Sequence, residues 1–500
     1  MSATGEMAGA TAADDILTSY QAGGRVIRGS AWRVAANGAG ILLGLATATL
    51  LLRHLGVAES GRYVTVISLV AIPVYVLDIG LNVTGSRELT LRGVSDRELI
   101  ANLLGQRLVV MPVGVILVVC FALVAGYPAR MVEGTAIAGL GAVMIALANV
   151  LLLRLTVELR NVGLALVDLA KQVVGLVGVA LLVAAGASLT PFFAIQLAVG
   201  VVVVFLVPLL LGKGAFVRPR FDRVDQRDLW RVAFPMAAAL ALGQIYFRLV
   251  IVLMSLISTP QETGYYAGSL RATENLVIMP ILVAGVVLPL LAHSAREDMA
   301  RMRNAIEGLS KGALIAGVLI VLVTFRLAEP VMVLIGGHAF RPAGDVLRIQ
   351  VATLLFLTLD QIWTASLLAL GRQRELILTN AIALLGIAGF AAALVPEFGA
   401  EGGAVASVLG EALLAVLIYW RLSRVTGNVM VGHGYLLRVL LAAAVACAPL
   451  AVPAIPNLVA AVLSAAIFLG VGQLIGMIPS EVHEAFSPRH LMSWWSARDA

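Results

Sequence analysis

Residues 191–211 read PFFAIQLAVGVVVVFLVPLLL, 21 positions in a row without a charged side chain. A helix of that length crosses the hydrocarbon core of a bilayer, because each residue adds about 1.5 Å and the core is about 30 Å thick. Directly after it come Lys213, Arg218, Arg220, Arg223, Arg227 and Arg231, a strongly basic joint. Outward from here the alternation of apolar run and short polar joint repeats almost to both ends. The runs are about 31–52, 62–84, 104–126, 134–153, 162–186, 191–211, 232–257, 276–292, 309–327, 350–370, 375–395, 401–420, 436–453 and 457–478. Across 500 residues, 60% are hydrophobic and 13% charged, and the mean hydropathy is +0.98. Soluble domains are nearer half apolar and a quarter charged, so these charges could not cover a water-exposed globule. Leu, Val, Ala and many Gly fill the runs, as packed membrane helices require, and the period-two alternation of a β-barrel is missing. The expected fold class is an all-α polytopic membrane protein of about 14 transmembrane helices.

The basic residues orient it. With the N-terminus inside, 26 of the 35 lysines and arginines fall in or beside inner joints, 7 fall outside, and Lys171 and Arg248 lie deep within runs. The opposite topology would translocate most of the charge. The first 24 residues are polar, include Asp14 and Asp15, and lack the basic-then-apolar order of a cleavable signal. Both termini are therefore expected in the cytoplasm, and the protein in the inner (plasma) membrane. The net charge of +6 then reads as inner loops beside anionic lipid, with no nucleic-acid partner. Cys120 and Cys447 sit inside apolar runs, which argues against a disulfide framework or metal site and marks them as small packing residues.

Two short patterns recur. Trp32-Arg33-Val34-Ala35 opens the first run and Trp230-Arg231-Val232-Ala233 the seventh; Glu59-Ser60-Gly61-Arg62-Tyr63 and Glu262-Thr263-Gly264-Tyr265-Tyr266 follow one helix later. They suggest an internal duplication of six-helix units with the same orientation, a transporter architecture whose substrate path lies between the repeats. The expected organisation is a tail over 1–30, an N-lobe over 31–211, a linker over 212–231, a C-lobe over 232–420, two further helices over 421–478 and a cytoplasmic tail over 479–500. Gly61 and Gly264 are expected to serve tight turns. No joint is long enough to fold alone, so no catalytic residues are expected; a nucleotide-binding Gly-x-x-x-x-Gly-Lys-[Ser/Thr] stretch and zinc-type His/Glu spacing are both absent from the sequence.

Ionisable residues inside spans are costly and usually face a cavity or a partner. The candidates are Asp78, Asp168, Lys171, Arg248 and Asp360, with Glu411 in the twelfth run. Asp168 and Lys171 are three apart, so they either pair with each other or leave Lys171 facing a cavity as a phosphate contact. Arg248, in Gly243-Gln244-Ile245-Tyr246-Phe247-Arg248, has no carboxylate within one helical turn. It must reach another helix, water or an anion: either a salt bridge, for instance to Asp360, or the bidentate recognition of phosphate for which a guanidinium is suited.

Four places carry a family resemblance: Arg53-His54-Leu55-Gly56 with Glu59-Ser60-Gly61-Arg62-Tyr63; Leu77-Asp78-Ile79-Gly80-Leu81 through Ser86-Arg87-Glu88; Tyr246-Phe247-Arg248 to Gly264-Tyr265-Tyr266-Ala267; and Gly399-Ala400-Glu401-Gly402-Gly403-Ala404-Val405-Ala406. Over roughly residues 25–425 the chain resembles the polysaccharide-transport (oligosaccharide flippase) branch of the superfamily that also holds the multidrug and toxin extrusion exporters and the lipid II flippases. That resemblance implies alternating access by two six-helix lobes and movement of a polyprenyl-diphosphate-linked oligosaccharide from the inner to the outer leaflet. The family often carries an acidic residue two places after the span-7 arginine; here it is Val250, which leaves Arg248 freer to face an anion. Arg33, Lys171, Arg248 and Gln244 are the expected substrate-binding lining, and Asp78, Asp168 and Asp360 the ion-coupling or structural carboxylates. No cofactor is expected beyond a coupling ion, Na+ or H+. The expected partners are the lipid-linked oligosaccharide, membrane lipids, and the polysaccharide polymerase and chain-length machinery. The competing readings are a cation-coupled small-molecule exporter, a lipid II flippase and a membrane glycosyltransferase or polymerase.

Overall fold

The computed structural model describes residues 20–92, 97–158, 160–212, 217–220, 241–427 and 431–477; side chains at 20–37, 77–84, 87, 91–92, 278–290 and 292–297 fall outside that description. The described chain is helical throughout: α1 Tyr20–Arg92, α2 Arg97–Val124, α3 Ala129–Val157, α4 Asn161–Ala184 and α5 Leu189–Leu211, then α6 Ala241–Ile257, α7 Pro260–Glu297, α8 Met299–Gly336, α9 Ala343–Gln350, α10 Thr353–Ala369, α11 Gln373–Thr426, α12 His433–Ala446 and α13 Asn457–Leu474. Among the described residues, ten helical stretches are long and apolar enough to cross a bilayer, and Ala241–Ile257 is a shorter apolar one.

Two of the helices are double. α1 carries the first two runs and breaks at Gly56 (φ 72°); α11 carries the eleventh and twelfth and breaks at Gly399 (φ 54°). Both angles lie where a Cβ is strained, so glycine lets one helix end and the next begin there without a loop. Burial follows the membrane's logic. Leu181, Phe205 and Leu385 point outward at 65, 67 and 75% exposure, while alanines and glycines fill the interior. Cys120 and Cys447 are free and also exposed, so neither is the packing residue expected from its apolar surroundings.

The helices group into two compact units, one of Met1–Leu55 and Val66–Ala241 and the other of Gly56–Thr65 and Leu242–Ala500. The linker expected at 212–231 lies largely outside the described residues. In the first unit the closest seam is α3 against α5. A Cβ on Gly141 would stand 2.4 Å from the Gln196 carbonyl, one on Gly134 2.3 Å from the Phe193 ring, and one on Gly200 2.7 Å from the Gly141 carbonyl oxygen. Only hydrogen in place of a side chain permits that approach. Arg107, 1% exposed, donates from Nη1 to the Ala146 carbonyl at 2.6 Å and ties α2 to α3. His54 bonds the Ala187 carbonyl at 2.8 Å and packs its ring near Phe192, tying α1 to the α4–α5 turn.

In the second unit α10 packs on α7, α8 and α11, and α12 and α13 close against α8. Trp363 Nε1 donates to Ser310 Oγ at 3.0 Å, and Arg326 donates to the Val452 and Ile455 carbonyls. The recurring Glu-[Ser/Thr]-Gly patterns meet here. A Cβ on Gly61 would lie 2.7 Å from the Gly264 nitrogen, and one on Gly264 2.1 Å from the Val57 carbonyl oxygen. Both glycines are helical, so they are contact residues and not turn residues; the turn belongs to Gly56.

Candidate functional site

The polar residues of the second unit gather around a cavity lined by Tyr246 and Phe247 from α6, Tyr266 and Glu274 from α7, Gln350 from α9, and Ser407 and Glu411 from α11. Its volume is about 30 Å³, room for a water molecule or a small cation and far too small for a sugar. Glycines shape it. A Cβ on Gly410 would lie 2.8 Å from the Tyr246 hydroxyl, and one on Gly403 would meet Met254 Sδ at 2.6 Å and the Tyr266 ring at 3.2 Å. Gly403 and Gly410 of α11 therefore form the surface that receives the tyrosines of α7 and α6. The Glu262 carboxylate accepts from the Ala400 N–H at 2.8 Å, capping the second half of α11 where the break at Gly399 leaves that amide without a helical partner. Ser407 donates to the Gly403 carbonyl at 2.9 Å and accepts the proton of Tyr266, 2.9 Å away.

Asp360 is 7% exposed and accepts from Thr364 at 3.4 Å. Glu411 is 5% exposed, and the Tyr246 hydroxyl is its hydrogen-bonding neighbour. Glu411, Asp360 and Tyr246 lie within electrostatic reach of one another. Two buried carboxylates with no cation paired to either, among the described residues, form a site that a proton or a small cation would neutralise.

Arg248 has a counter-ion that its own helix does not supply. Its Nη1 lies 2.6 Å from Glu274 Oε1 on α7, and Arg271, three residues before Glu274, reaches Oε2 at 3.2 Å. The expectation that the valine at position 250 leaves Arg248 freer is corrected: the neighbouring helix provides the carboxylate. Glu274, and not Asp360, is the partner. Lys171 and Asp168 do pair, at 3.2 Å on α4, with Asp168 60% exposed. Gln244 lies on α6 one turn before Arg248, half-buried. Arg33 and Asp78 lie on α1, and their side chains are outside the described residues. The structure thus brings Arg248 and Asp360 into the second unit with Gln244, and Asp168 and Lys171 into the first. Sequence reasoning missed Glu274 and Arg271; Arg271 reads as an outer-loop charge when spans are placed by hydropathy, because the apolar run begins after it.

These features define a multi-pass helical membrane protein with an ionisable cluster inside one of its units. The model of the family described as polysaccharide biosynthesis protein matches residues 26–295, more than half of the chain, and the chain belongs to that family. No curated protein sequence matches it. Among solved structures, it is similar to "Lipid II flippase MurJ, inward closed conformation" at a TM-score of 0.68 and 11% identity, over 89% of this chain and 97% of that one. It is also similar to an inward-facing multidrug resistance MATE family transporter of the MOP superfamily, at 0.66 and 17% identity, over 78% and 95%, and to an outward-facing one at 0.55 and 15%, over 81% and 96%. At such identities the likeness is one of fold.

Proposed function

We propose that the protein is a flippase that carries a polyprenyl-diphosphate-linked oligosaccharide from the cytoplasmic to the outer leaflet by alternating access. The observation that carries this reading is membership of the polysaccharide biosynthesis family by a chain whose apolar α6 holds an arginine. A sugar head group and diphosphate cannot cross hydrocarbon unaided, because burying unpaired charge and hydroxyls costs many kcal/mol. Arg248, with Lys171, Arg33 and Gln244, supplies cationic and polar replacement for water, while the lipid tail stays in the bilayer. The termini face the cytoplasm, and a polymerase with its chain-length machinery receives the product at the outer face of the plasma membrane.

Energy enters at the second unit's two buried carboxylates. Asp360 and Glu411 take up Na+ or H+ there, and Asp78 and Asp168 are the lesser candidates. The same buried carboxylates support a second reading, a cation-coupled exporter of small molecules. Export decides between them. In cells lacking the chromosomal copy, the wild-type chain restores surface polysaccharide, and Arg248→Gln, present at normal level in the membrane, does not. Normal surface polysaccharide with that variant, or drug resistance that follows the gene while polysaccharide does not, would contradict the flippase.

A further inference from the structure

We infer that Glu274 is an exchangeable counter-ion: it holds Arg248 and Arg271 in the absence of ligand, and a phosphate group of the substrate replaces it. This rests on the reading of the substrate as a lipid diphosphate and extends the anion-binding residues to a pair of arginines on two adjacent helices.

The geometry is that of an anion site already filled. Each guanidinium takes a different oxygen of one carboxylate, Arg248 at 2.6 Å and Arg271 at 3.2 Å. Arg271 and Glu274, three apart on α7, would satisfy each other alone. Arg248, arriving from α6, makes the cluster two cations and one anion. The surplus charge sits on partly buried side chains of two packed helices, where an unneutralised charge is costly. The other titratable groups near the cluster are Tyr63, Tyr266 and Glu411, which lines the same small cavity as Glu274; both arginines make their ion pairs with Glu274.

The three side chains are 17, 32 and 22% exposed, so the cluster is open to an approaching ligand. A carboxylate offers two oxygens and one charge. A diphosphate offers more of both, and paired guanidiniums favour planar, multidentate acceptors of that kind. The displaced carboxylate also has somewhere to go. Glu274 lines the small cavity together with Gln350, whose Oε1 accepts from Ser269 and whose side-chain amide N–H is a donor that can receive it.

A counter-ion that must leave lowers apparent affinity by the fraction of time the arginines are free, so its removal tightens binding by the same factor. The test uses the full-length protein in lipid nanodiscs, with inorganic pyrophosphate and a polyprenyl diphosphate as separate probes. Glu274→Gln is expected to bind both at least tenfold more tightly than wild type, Glu274→Asp to show a smaller gain, and Arg271→Gln to bind at least tenfold more weakly. A folded Glu274→Gln with unchanged or weaker affinity overturns the proposal; if that variant does not fold, an unchanged or weaker Glu274→Asp does so. The gain with pyrophosphate but no binding of polyprenyl diphosphate by any variant overturns the lipid substrate alone. Polyprenyl diphosphate bound by wild type without any gain in the Glu274 variants overturns the counter-ion alone.

Discussion

The α3–α5 seam of the first unit and the polar cluster of the second are both helix contacts inside a membrane, yet they are built on opposite principles. At the seam, Gly141 and Gly200 bring two backbones together and Gly134 lies against the Phe193 ring, and dispersion contacts hold the helices together. In the cluster, glycines at 403 and 410 make room for tyrosines, and the space so created holds Tyr246 and Tyr266 beside Glu411. Glycine is the shared device, but at the seam it closes space and in the cluster it creates it. Packing and polar chemistry are thus separated along the chain: the seam joins helices without titratable groups, whereas the cluster buries carboxylates at a cost in stability.

The largest effect should come from the seam. Gly141→Leu places a side chain where even a Cβ would lie 2.4 Å from the Gln196 carbonyl. Backbone cannot yield as a side chain can, so the variant should fail to give a monodisperse peak in detergent. The milder Gly141→Ala should lose about 1–3 kcal/mol in thermal unfolding. On α4, a Cβ at Gly175 meets nothing within 4 Å, so Gly175→Ala should be neutral or slightly stabilising. Equal behaviour of the Gly141 and Gly175 variants would remove the seam's claim to rigidity.

Glu411→Gln should separate the two principles from the other side. It removes a buried charge and keeps an acceptor for the Tyr246 hydroxyl, so thermal stability should hold or rise, by up to about 1–3 kcal/mol, while gradient-driven transport falls at least tenfold. A large loss of stability would make Glu411 structural. Smaller effects should follow for the supports around it. Glu262→Ala removes the acceptor for the Ala400 N–H and should lower stability by about 1 kcal/mol. Ser407→Ala breaks the contact with Tyr266 and should cost about 1 kcal/mol or less.

Much of this architecture could be read from the chain. Charge-free runs of bilayer length mark the helices, and the same motifs that carry the family likeness prove to hold one another: Glu262 caps the helix at Ala400, Gly264 meets Gly61 and Tyr266 meets Ser407. Their partners could not be read, because a motif states what a residue can do and not which helix lies across from it. Gly61 and Gly264 therefore look like turn residues until the opposing backbone is known. Likewise, Arg248 and Glu274 are separated by a full helix-to-helix connection, and no local spacing pairs them. The counter-ion follows from how α6 and α7 pack, which is a tertiary property.

The most direct test of the central claim is flipping itself. Purified protein in liposomes carrying a fluorescent polyprenyl-diphosphate-linked disaccharide should expose the head group to an outer quencher far faster than protein-free liposomes. The Arg248→Gln protein, reconstituted at equal density, should fall to the protein-free rate. Flipping by that variant at the wild-type rate would contradict the account.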